Sequence, residues 1–326
     1  MRTLILNSSN ILPNTNNSIM KYTFPAGNLT FRHGQKLALA SLSMYYSTFN
    51  ITALNNNNKI NYIWVDNTEI AITIPDGFYT IDLLNDYIHQ QMIYNGHYLV
   101  NNSSGQYVYF ITLGSNLSSY TFQLNCFPMN STTYPTVVVP PATTSAYSVG
   151  TKQAGSIAPV WELPTANIVP MLRVLNNKMV DTIGFSAGYY PTGSPTLSPL
   201  PATIDTTTLP PPSQTQTPTY SVVQSYLSNL VPQITPLSSF VMTCSLLNNN
   251  YAVPNTLLYA FSPVGEFAQQ FTIQPTGQFS FIDIQPGQYG GFTIQFLDQN
   301  LFPIAIQDPN MVVLLVITDP DEGTMK

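Results

Sequence analysis

The stretch Gly291-Phe292-Thr293-Ile294-Gln295-Phe296-Leu297-Asp298-Gln299-Asn300 decides the fold of this chain. Its first seven residues are rich in the aromatic and β-branched types that favour strands. The Asp and Asn side chains that follow can bond the local backbone and end the strand in a turn. Comparable runs recur through the last part of the chain at intervals of roughly 8 to 15 residues, separated by Pro-Gly, Gly-Gly, Asp-Pro and Asn-Asn signals. Strands are therefore predicted at 240–247, 256–261, 267–273, 278–284, 291–297 and 311–317.

The first part of the chain shows the same strand pattern, interrupted by one helix. Further strands are predicted at 21–24, 29–31, 37–46, 60–65, 70–74, 106–113 and 120–126, and 60–65 forms a hairpin with 70–74. Thr80 is the expected N-cap of a helix over 81–93, which Asn95-Gly96 ends. About a dozen strands with a single short helix predict an all-β antiparallel sandwich of two sheets, and the jelly roll is the first choice among such folds.

The region 127–236 differs in composition, because it holds 17 of the 27 prolines together with many Thr and Ser residues. Proline removes a ladder donor, so regular sheet cannot dominate there. Its apolar residues are nevertheless too many for a solvated linker. We therefore predict one jelly-roll domain, 1–126 with 237–326, that carries a partly irregular, loop-rich insertion over 127–236. A flexible linker and two domains in series are the alternatives.

Charge is scarce: 326 residues include 9 basic and 15 acidic side chains, which is 7% of the chain, with a net charge of −6. In soluble domains about a quarter of the residues are usually charged. No Lys/Arg cluster is present to grip a nucleic-acid backbone. No continuous apolar stretch is long enough to span a membrane, and no secretory signal is visible. This composition favours a structural protein over an enzyme or a DNA-binding protein.

Candidate chemistry is equally scarce, and no catalytic, cofactor-binding or metal-binding residue is predicted. His89 and His97 lack the spacing of a zinc-binding helix, so a structural role is expected. The acids Asp319, Asp321 and Glu322 could hold Ca²⁺, but a solvated tail is the simpler interpretation. Cys126 and Cys244 lack metal or redox spacing and are expected to be reduced, buried thiols. No Gly-x-Ser-x-Gly elbow occurs.

Four segments, in this order, together resemble one protein family. They are Ile74 to Ile81, Gly184 to Pro191, Cys244 to Asn249 with Val253-Pro254, and Phe292 to Asn300 with Asp308-Pro309-Asn310. The family is the penton, or minor capsid, protein of virophages, Mavericks/Polintons and polinton-like viruses. The residues that carry the resemblance are Pro75, Asp76, Gly77, Tyr79, Gly184, Phe185, Gly188, Tyr190, Pro191, Cys244, Leu246, Asn248, Asn249, Pro254, Asp298, Gln299, Asn300, Asp308 and Asn310.

The resemblance implies a virion structural protein without enzymatic activity. Such a subunit is a jelly roll that forms homopentamers and closes the five-fold vertices of an icosahedral capsid. Its implied partners are copies of itself and the major capsid protein capsomers, with a fibre or host receptor contacted through an outward-projecting insertion. The implied location is the capsid vertex, after synthesis in the host cytoplasm or virus factory. Residues 1–18 are a candidate N-terminal arm under neighbouring capsomers.

Two other functions fit the same composition. A fibre, head-decoration or lectin-like attachment protein would bind glycans and usually shows repeated strand motifs, which this sequence lacks. A carbohydrate-active enzyme on a jelly roll would need two paired carboxylates in an aromatic cleft, and no such pair is recognisable locally in the sequence.

Overall fold

The computed structural model describes residues 1–137, 144–152, 161–191, 224–235, 237–263, 265–275 and 280–319. The acids Asp321 and Glu322 and the proline-rich stretch 192–223 lie outside these residues. The chain divides into two compact units. Unit 1 comprises Met1–Phe49 and Leu237–Lys326, and unit 2 comprises Asn50–Pro236.

The described elements, in chain order, are β1 (Arg2–Leu6), β2 (Ile19–Thr23), β3 (Leu29–Phe31), β4 (Lys36–Tyr45), β5 (Lys59–Ile63), β6 (Glu69–Thr73), α1 (Ile81–Asn95), β7 (Leu99–Asn101), β8 (Tyr107–Val108), β9 (Ile111–Asn116), β10 (Thr121–Cys126), β11 (Tyr147–Val149), β12 (Met171–Val174), α2 (Met179–Ile183), β13 (Gly188–Tyr190), β14 (Gln224–Leu227), β15 (Phe240–Cys244), β16 (Leu257–Phe261), β17 (Gln270–Ile273), β18 (Ile282–Asp283), β19 (Gly287–Tyr289), β20 (Gly291–Leu297) and β21 (Val312–Thr318). A short 3-10 helix, Ser8–Asn10, follows β1.

Unit 1 is a jelly roll. Its eight main strands form two antiparallel sheets in the orders β1-β21-β4-β17 and β16-β15-β20-β2. Counted along unit 1, these orders are first-eighth-third-sixth and fifth-fourth-seventh-second, which is the double Greek-key arrangement of a jelly roll. The predicted fold class is therefore confirmed for this unit. The short strands β3 and β19 pair with each other, and β18 pairs with the first two residues of β4.

The two sheets of unit 1 share one core. In β20 the side chains of Phe292, Ile294 and Phe296 are buried, whereas those of Thr293 and Gln295 between them are half-buried. This period of two is the pattern of a strand with one face against a core. Most buried residues of β4, β15 and β21 belong to the same apolar cluster, and Ala38, Thr243 and Val316 are buried outside it.

Residues 1–18, predicted as a candidate arm, are packed into unit 1. All five residues of β1 pair with β21. Farther along, Leu12 N–H donates to Ile19 O at 2.9 Å, and Asn17 Nδ2 donates to Ile306 O at 2.9 Å. The apolar alternation of Leu4 and Leu6 explains the difference, because Leu6 is fully buried in the core and Leu4 packs against it.

Unit 2 has its own core and three antiparallel sheets, β13-β12-β5-β6, β14-β10-β9 and β11-β7-β8. The first domain boundary was predicted at 126/127, but the structure places it at 49/50, while the second boundary coincides at 236/237. The reason is long-range pairing. Strand β5 pairs with β12 and β10 pairs with β14, so residues 50–126 share sheets with the proline-rich part. The proline content changes at 127 within one unit.

Helix α1 begins as predicted and runs two residues longer. Thr80 Oγ1 accepts from Leu83 N–H at 3.2 Å, and Gly96 ends the helix in the left-handed conformation. Leu84, Ile88 and Met92 are buried, whereas Tyr87 is half-buried. The sequence missed α2, a five-residue helix too short for a clear periodic signal.

Candidate assembly surface

The outer face of the β1-β21-β4-β17 sheet, turned away from the core of unit 1, carries no charged side chain along its central rows. Alternation places the core residues of these strands on one side and their neighbours on the other. The outer residues, here called face 1, are Thr3, Ile5, Ser41, Ser43, Tyr45, Gln270, Thr272, Val312 and Leu314, whereas Ala38 and Val316 on the same side of the sheet are buried.

Several apolar side chains of face 1 are exposed. The exposed fractions are 57% for Ile5, 43% for Tyr45 and 41% for Val312. Ile5 lies opposite the half-buried Leu314, one residue pair along the β1–β21 ladder from the core pair Leu6 and Val313. An antiparallel sheet with one face in water normally alternates apolar and polar residues. An apolar outer face is therefore typical of a sheet that another surface covers.

The charges nearest to face 1 lie at one end of the sheet and are paired. Lys36 Nζ is 3.8 Å from Asp283 Oδ1, and an Arg2 guanidinium nitrogen is 3.6 Å from Asp319 Oδ2. These pairs are solvent-exposed and contribute little stability. They leave the central rows of the sheet neutral.

The outer face of the second sheet is similar. Its outward residues, here called face 2, are Ile19, Lys21, Thr23, Val241, Thr243, Ala260, Thr293 and Gln295. Lys21 is charged among them. Each sheet of the jelly roll therefore presents a nearly neutral face of small polar and apolar side chains.

The outer face of the β13-β12-β5-β6 sheet in unit 2 is different. Arg173 there forms an ion pair with Glu69 at 2.6 Å, and its guanidinium lies 5.2 Å from the ring centroid of Tyr189. Hydrogen bonds from Asn61 and then from Arg173 lower the pKa of Glu69. This sheet face carries the charged groups expected of a solvated surface.

The first predicted motif, Ile74 to Ile81, forms hydrogen bonds that connect residues near both chain ends of unit 2. Tyr79 N–H donates to Asn50 Oδ1 at 2.8 Å, and Asn50 Nδ2 donates to Tyr79 O at 2.7 Å and to Ile234 O at 2.6 Å. Asp76 Oδ1 accepts from Ala53 N–H at 2.7 Å, and Gly77 exchanges backbone hydrogen bonds with Ile51. Tyr79 also donates its hydroxyl to Pro75 O at 3.0 Å.

The second motif has a structural role in the same unit. Gly184 ends α2 at φ +75°, and a Cβ there would lie 2.5 Å from Leu230 O, so glycine is required. Phe185 is fully buried, with its ring centroid 5.2 Å from that of Tyr190. The strand Gly188–Tyr190 pairs with β12 and leads into Pro191.

The third and fourth motifs form turns of unit 1. Cys244 and Leu246 are fully buried, Asn248 N–H donates to Asp283 O, and Asn249 N–H donates to Asn255 O next to Pro254. Asp298 Oδ1 accepts from the N–H groups of Asn300 and Phe302, and Gln299 Oε1 accepts from Ser238 N–H. Buried Asp308 accepts from the N–H groups of Tyr45 and Asn310, both at 2.7 Å.

The nineteen motif residues therefore do not converge on one site: each unit holds two motifs, and each motif serves a local turn or core. Face 1 was not predicted from the sequence. The signal that could have found it is the lack of charge in the strands 37–46 and 311–317.

The residues that the structure describes contain no group of three or more His, Cys, Asp and Glu side chains able to hold a metal ion. Cys126 and Cys244 are free and buried, as predicted, and burial raises the pKa of both thiols, to about 12 for Cys244. A thiol with a raised pKa is a poor nucleophile. Within the same residues, no helix is long and apolar enough to cross a membrane.

Comparison with known proteins finds similar solved structures. No family model and no curated protein match the sequence. The mavirus penton protein is 10% identical with a TM-score of 0.41, over 97% of each chain. A chain of the Sputnik virophage structure, determined by cryo-EM, is 10% identical with a TM-score of 0.35, over 99% of each chain.

Proposed function

We propose that this protein is a virion structural protein: a penton subunit, five copies of which close each five-fold vertex of an icosahedral capsid. The single observation that carries the proposal is face 1, a neutral sheet face with Ile5, Tyr45 and Val312 exposed. The motif order in the sequence points to the same family. Unit 2, inserted between β4 and β15 of the jelly roll, is proposed to project outward from the capsid.

A neutral contact face suits an assembly of identical subunits. Each copy carries a net charge of −6, so copies repel one another in solution. Charged groups buried at every contact would cost several kcal/mol each unless they were paired. Faces 1 and 2 avoid this desolvation cost almost entirely. A partner recognised by charge, such as nucleic acid, would find one matching group, Lys21, on face 2 and none on face 1.

The two faces also suit a ring. Five-fold symmetry requires a heterologous contact, in which two different patches of each subunit meet head to tail. Faces 1 and 2 belong to the two opposed sheets of one jelly roll, so each copy can present one face to each neighbour. In this proposal the remaining surface of unit 1 contacts capsomers of the major capsid protein, and unit 2 contacts a fibre or host receptor.

The proposal is tested with the full-length chain and one charge placed on face 1. The wild type is expected to form a particle of about 180 kDa, five times 36.0 kDa, by sedimentation. Val312→Lys is expected to sediment as a monomer, because the contact would bury an unpaired ammonium group. Ala71→Lys, on the exposed outer face of β6 in unit 2, is the matched control and keeps the pentamer.

The outcomes distinguish a wrong penton assignment from a wrong choice of contact face. A wild type that stays monomeric or trimeric under assembly conditions contradicts the penton assignment itself. A Val312→Lys variant that remains a folded pentamer leaves the assignment intact and shows that face 1 is not the contact.

A further inference from the structure

Unit 2 buries two of the three histidines of the chain in arrangements that favour the neutral ring. His89 stacks on Tyr109 with the ring centroids 4.0 Å apart, and its Nε2 lies 2.9 Å from Ile111 O. Nε2 therefore carries the proton, and Nδ1 accepts from Asn85 Nδ2 at 3.5 Å. The amide of Asn85 cannot turn over without cost, because its Oδ1 accepts from Leu113 N–H at 2.8 Å. A second proton, on Nδ1 of His89, would therefore point at Asn85 Nδ2, which is itself a hydrogen-bond donor.

His97 lies in an aromatic cage. Its ring stacks on Trp64 with the centroids 4.7 Å apart, and its Nδ1 lies 2.9 Å from the Tyr62 hydroxyl. Two charged groups act on it in opposite directions. Asp66 favours the protonated ring and Lys152 disfavours it. The ring is buried, so a second proton on His97 would place a positive charge among aromatic side chains, away from water.

We propose that unit 2 is an acid-sensitive element: mild acid protonates His89 and His97 and opens unit 2 while unit 1 keeps its fold. The third histidine, His33, is exposed in unit 1. The inference does not rest on the proposed function. It applies to the isolated chain and to any assembly in which unit 2 contacts a partner.

The direction of the effect follows from linkage. Burial lowers the pKa of both histidines to about 4, from an ordinary value of 6.5. A histidine whose pKa is lower in the folded than in the unfolded state stabilises the fold at pH values above its unfolded-state pKa. This contribution is lost as the pH falls towards its folded-state pKa. Each histidine would raise the unfolding constant of unit 2 roughly 20-fold between pH 7 and pH 5. Asp86 on α1 offsets part of this, because burial and then Asp82 raise its pKa and the folded state takes up that proton first.

The two tryptophans provide a signal from unit 2 alone. Trp64 and Trp161 lie in this unit with their ring centroids 5.0 Å apart, and the chain has no others. On titration of the full-length protein from pH 7 to pH 4, the emission maximum is expected to shift to longer wavelength as the cage opens. Amide hydrogen exchange, corrected for its intrinsic pH dependence, is expected to speed up in α1 and β9 and to stay slow in β4 and β21.

Two variants connect the transition to the histidines. His89→Gln keeps a donor for Ile111 O, and His97→Asn keeps an acceptor for the Tyr62 hydroxyl. The double variant is expected to move the midpoint of the emission change to lower pH by at least half a pH unit, and His33→Gln is expected to leave it in place.

Three results would overturn the proposal. One is a wild-type emission maximum that does not change down to pH 4, and another is loss of protection in both units at the same pH. The third is an unshifted midpoint in a folded double variant. If the double variant does not fold, hydrogen exchange of the wild type at pH 7 and pH 5 still tests the proposal. Exchange that speeds up only in unit 2 supports it, and exchange that is unchanged or speeds up in both units contradicts it.

Discussion

Unit 1 buries five polar or charged residues among those that the structure describes, whereas unit 2 buries sixteen. The five are Ser18, Gln35, Thr48, Thr243 and Asp308. The sixteen are Asn50, Thr52, Asn57, Asn58, Asn85, His89, His97, Asn101, Thr112, Asn116, Gln123, Asn125, Thr182, Gln224, Ser225 and Ser228. Unit 1 is held by an apolar core between two sheets, and unit 2 depends in addition on hydrogen bonds between buried side chains.

The difference teaches how each unit responds to change. An apolar core loses stability in proportion to the volume removed, at any pH. A buried polar network loses more when one member is removed, because the partners are left unsatisfied in a low-dielectric interior. The outer surfaces reverse this pattern: unit 1 has neutral outer faces, and the outer sheet of unit 2 carries the Arg173–Glu69 ion pair.

The largest effect is expected from truncating the core of unit 1. Phe240 is fully buried and stacks on Phe261 with the ring centroids 5.1 Å apart. Phe240→Ala should destabilise unit 1 by about 4 kcal/mol, the usual cost of removing a buried phenyl ring. Hydrogen exchange of β4 and β21 measures the loss, while the tryptophan-monitored unfolding of unit 2 should not change.

The control is Val241→Ala on face 2, which should cost less than about 1 kcal/mol because the side chain is half-buried. An equal shift of the tryptophan transition in Phe240→Ala would show that the two units unfold as one cooperative body, which would contradict two independently stabilised cores.

The next effect concerns the buried network of unit 2. Gln123 accepts from Asn116 at 2.8 Å and donates to Asn125 and Ser225, both at 3.0 Å. Gln123→Leu keeps the volume and leaves these partners unsatisfied, so unit 2 should lose about 3 kcal/mol. Urea unfolding followed by tryptophan emission measures it.

Gln270→Leu in unit 1 is the matched control, measured by hydrogen exchange of β17 because tryptophan emission reports on unit 2 alone. This glutamine is exposed and donates to Ser43 Oγ at 2.9 Å, so its loss should cost less than about 0.5 kcal/mol. If Gln123→Leu were as mild as this control, the polar network would not be what distinguishes unit 2.

Much of the fold could be predicted from local patterns. The strand alternation predicted the hairpin that the structure places at β5 and β6, and the Thr80 cap with Gly96 predicted α1. The regular strand spacing after 237 predicted the jelly roll of unit 1. These features depend on residues close in sequence.

The parts that sequence could not supply depend on distant partners. The 49/50 boundary follows from the pairing of β5 with β12 and of β10 with β14, which no local pattern reports. The strand predicted at 106–113 runs on to Asn116, because that side chain accepts from Ser118 and Ser119 and donates to Gln123. Face 1 depends on the register between β1, β21 and β4, which places Ile5, Leu314 and Ser41 in one row.

The smallest effect is a gain in stability. Tyr120, in the β9–β10 turn of unit 2, has φ +53° and is 88% exposed. Left-handed geometry costs a residue with a bulky side chain roughly 1 to 2 kcal/mol, and Asn tolerates it better. Tyr120→Asn should therefore stabilise unit 2 by about 1 kcal/mol in the tryptophan-monitored unfolding.

Tyr251→Asn is the control, because this fully exposed residue of unit 1 is outside the left-handed region. It should leave the transition of unit 2 unchanged. A loss of stability in Tyr120→Asn would mean that the exposed tyrosine ring contributes packing that its exposure does not indicate.

The measurement that tests the central claim most directly is negative-stain imaging of the purified full-length protein under assembly conditions. Class averages should show closed rings with five-fold symmetry in the wild type and in Ala71→Lys, and separate subunits in Val312→Lys. Wild-type particles that are monomers, trimers or open filaments would contradict the proposal that neutral jelly-roll faces join five copies into a capsid vertex.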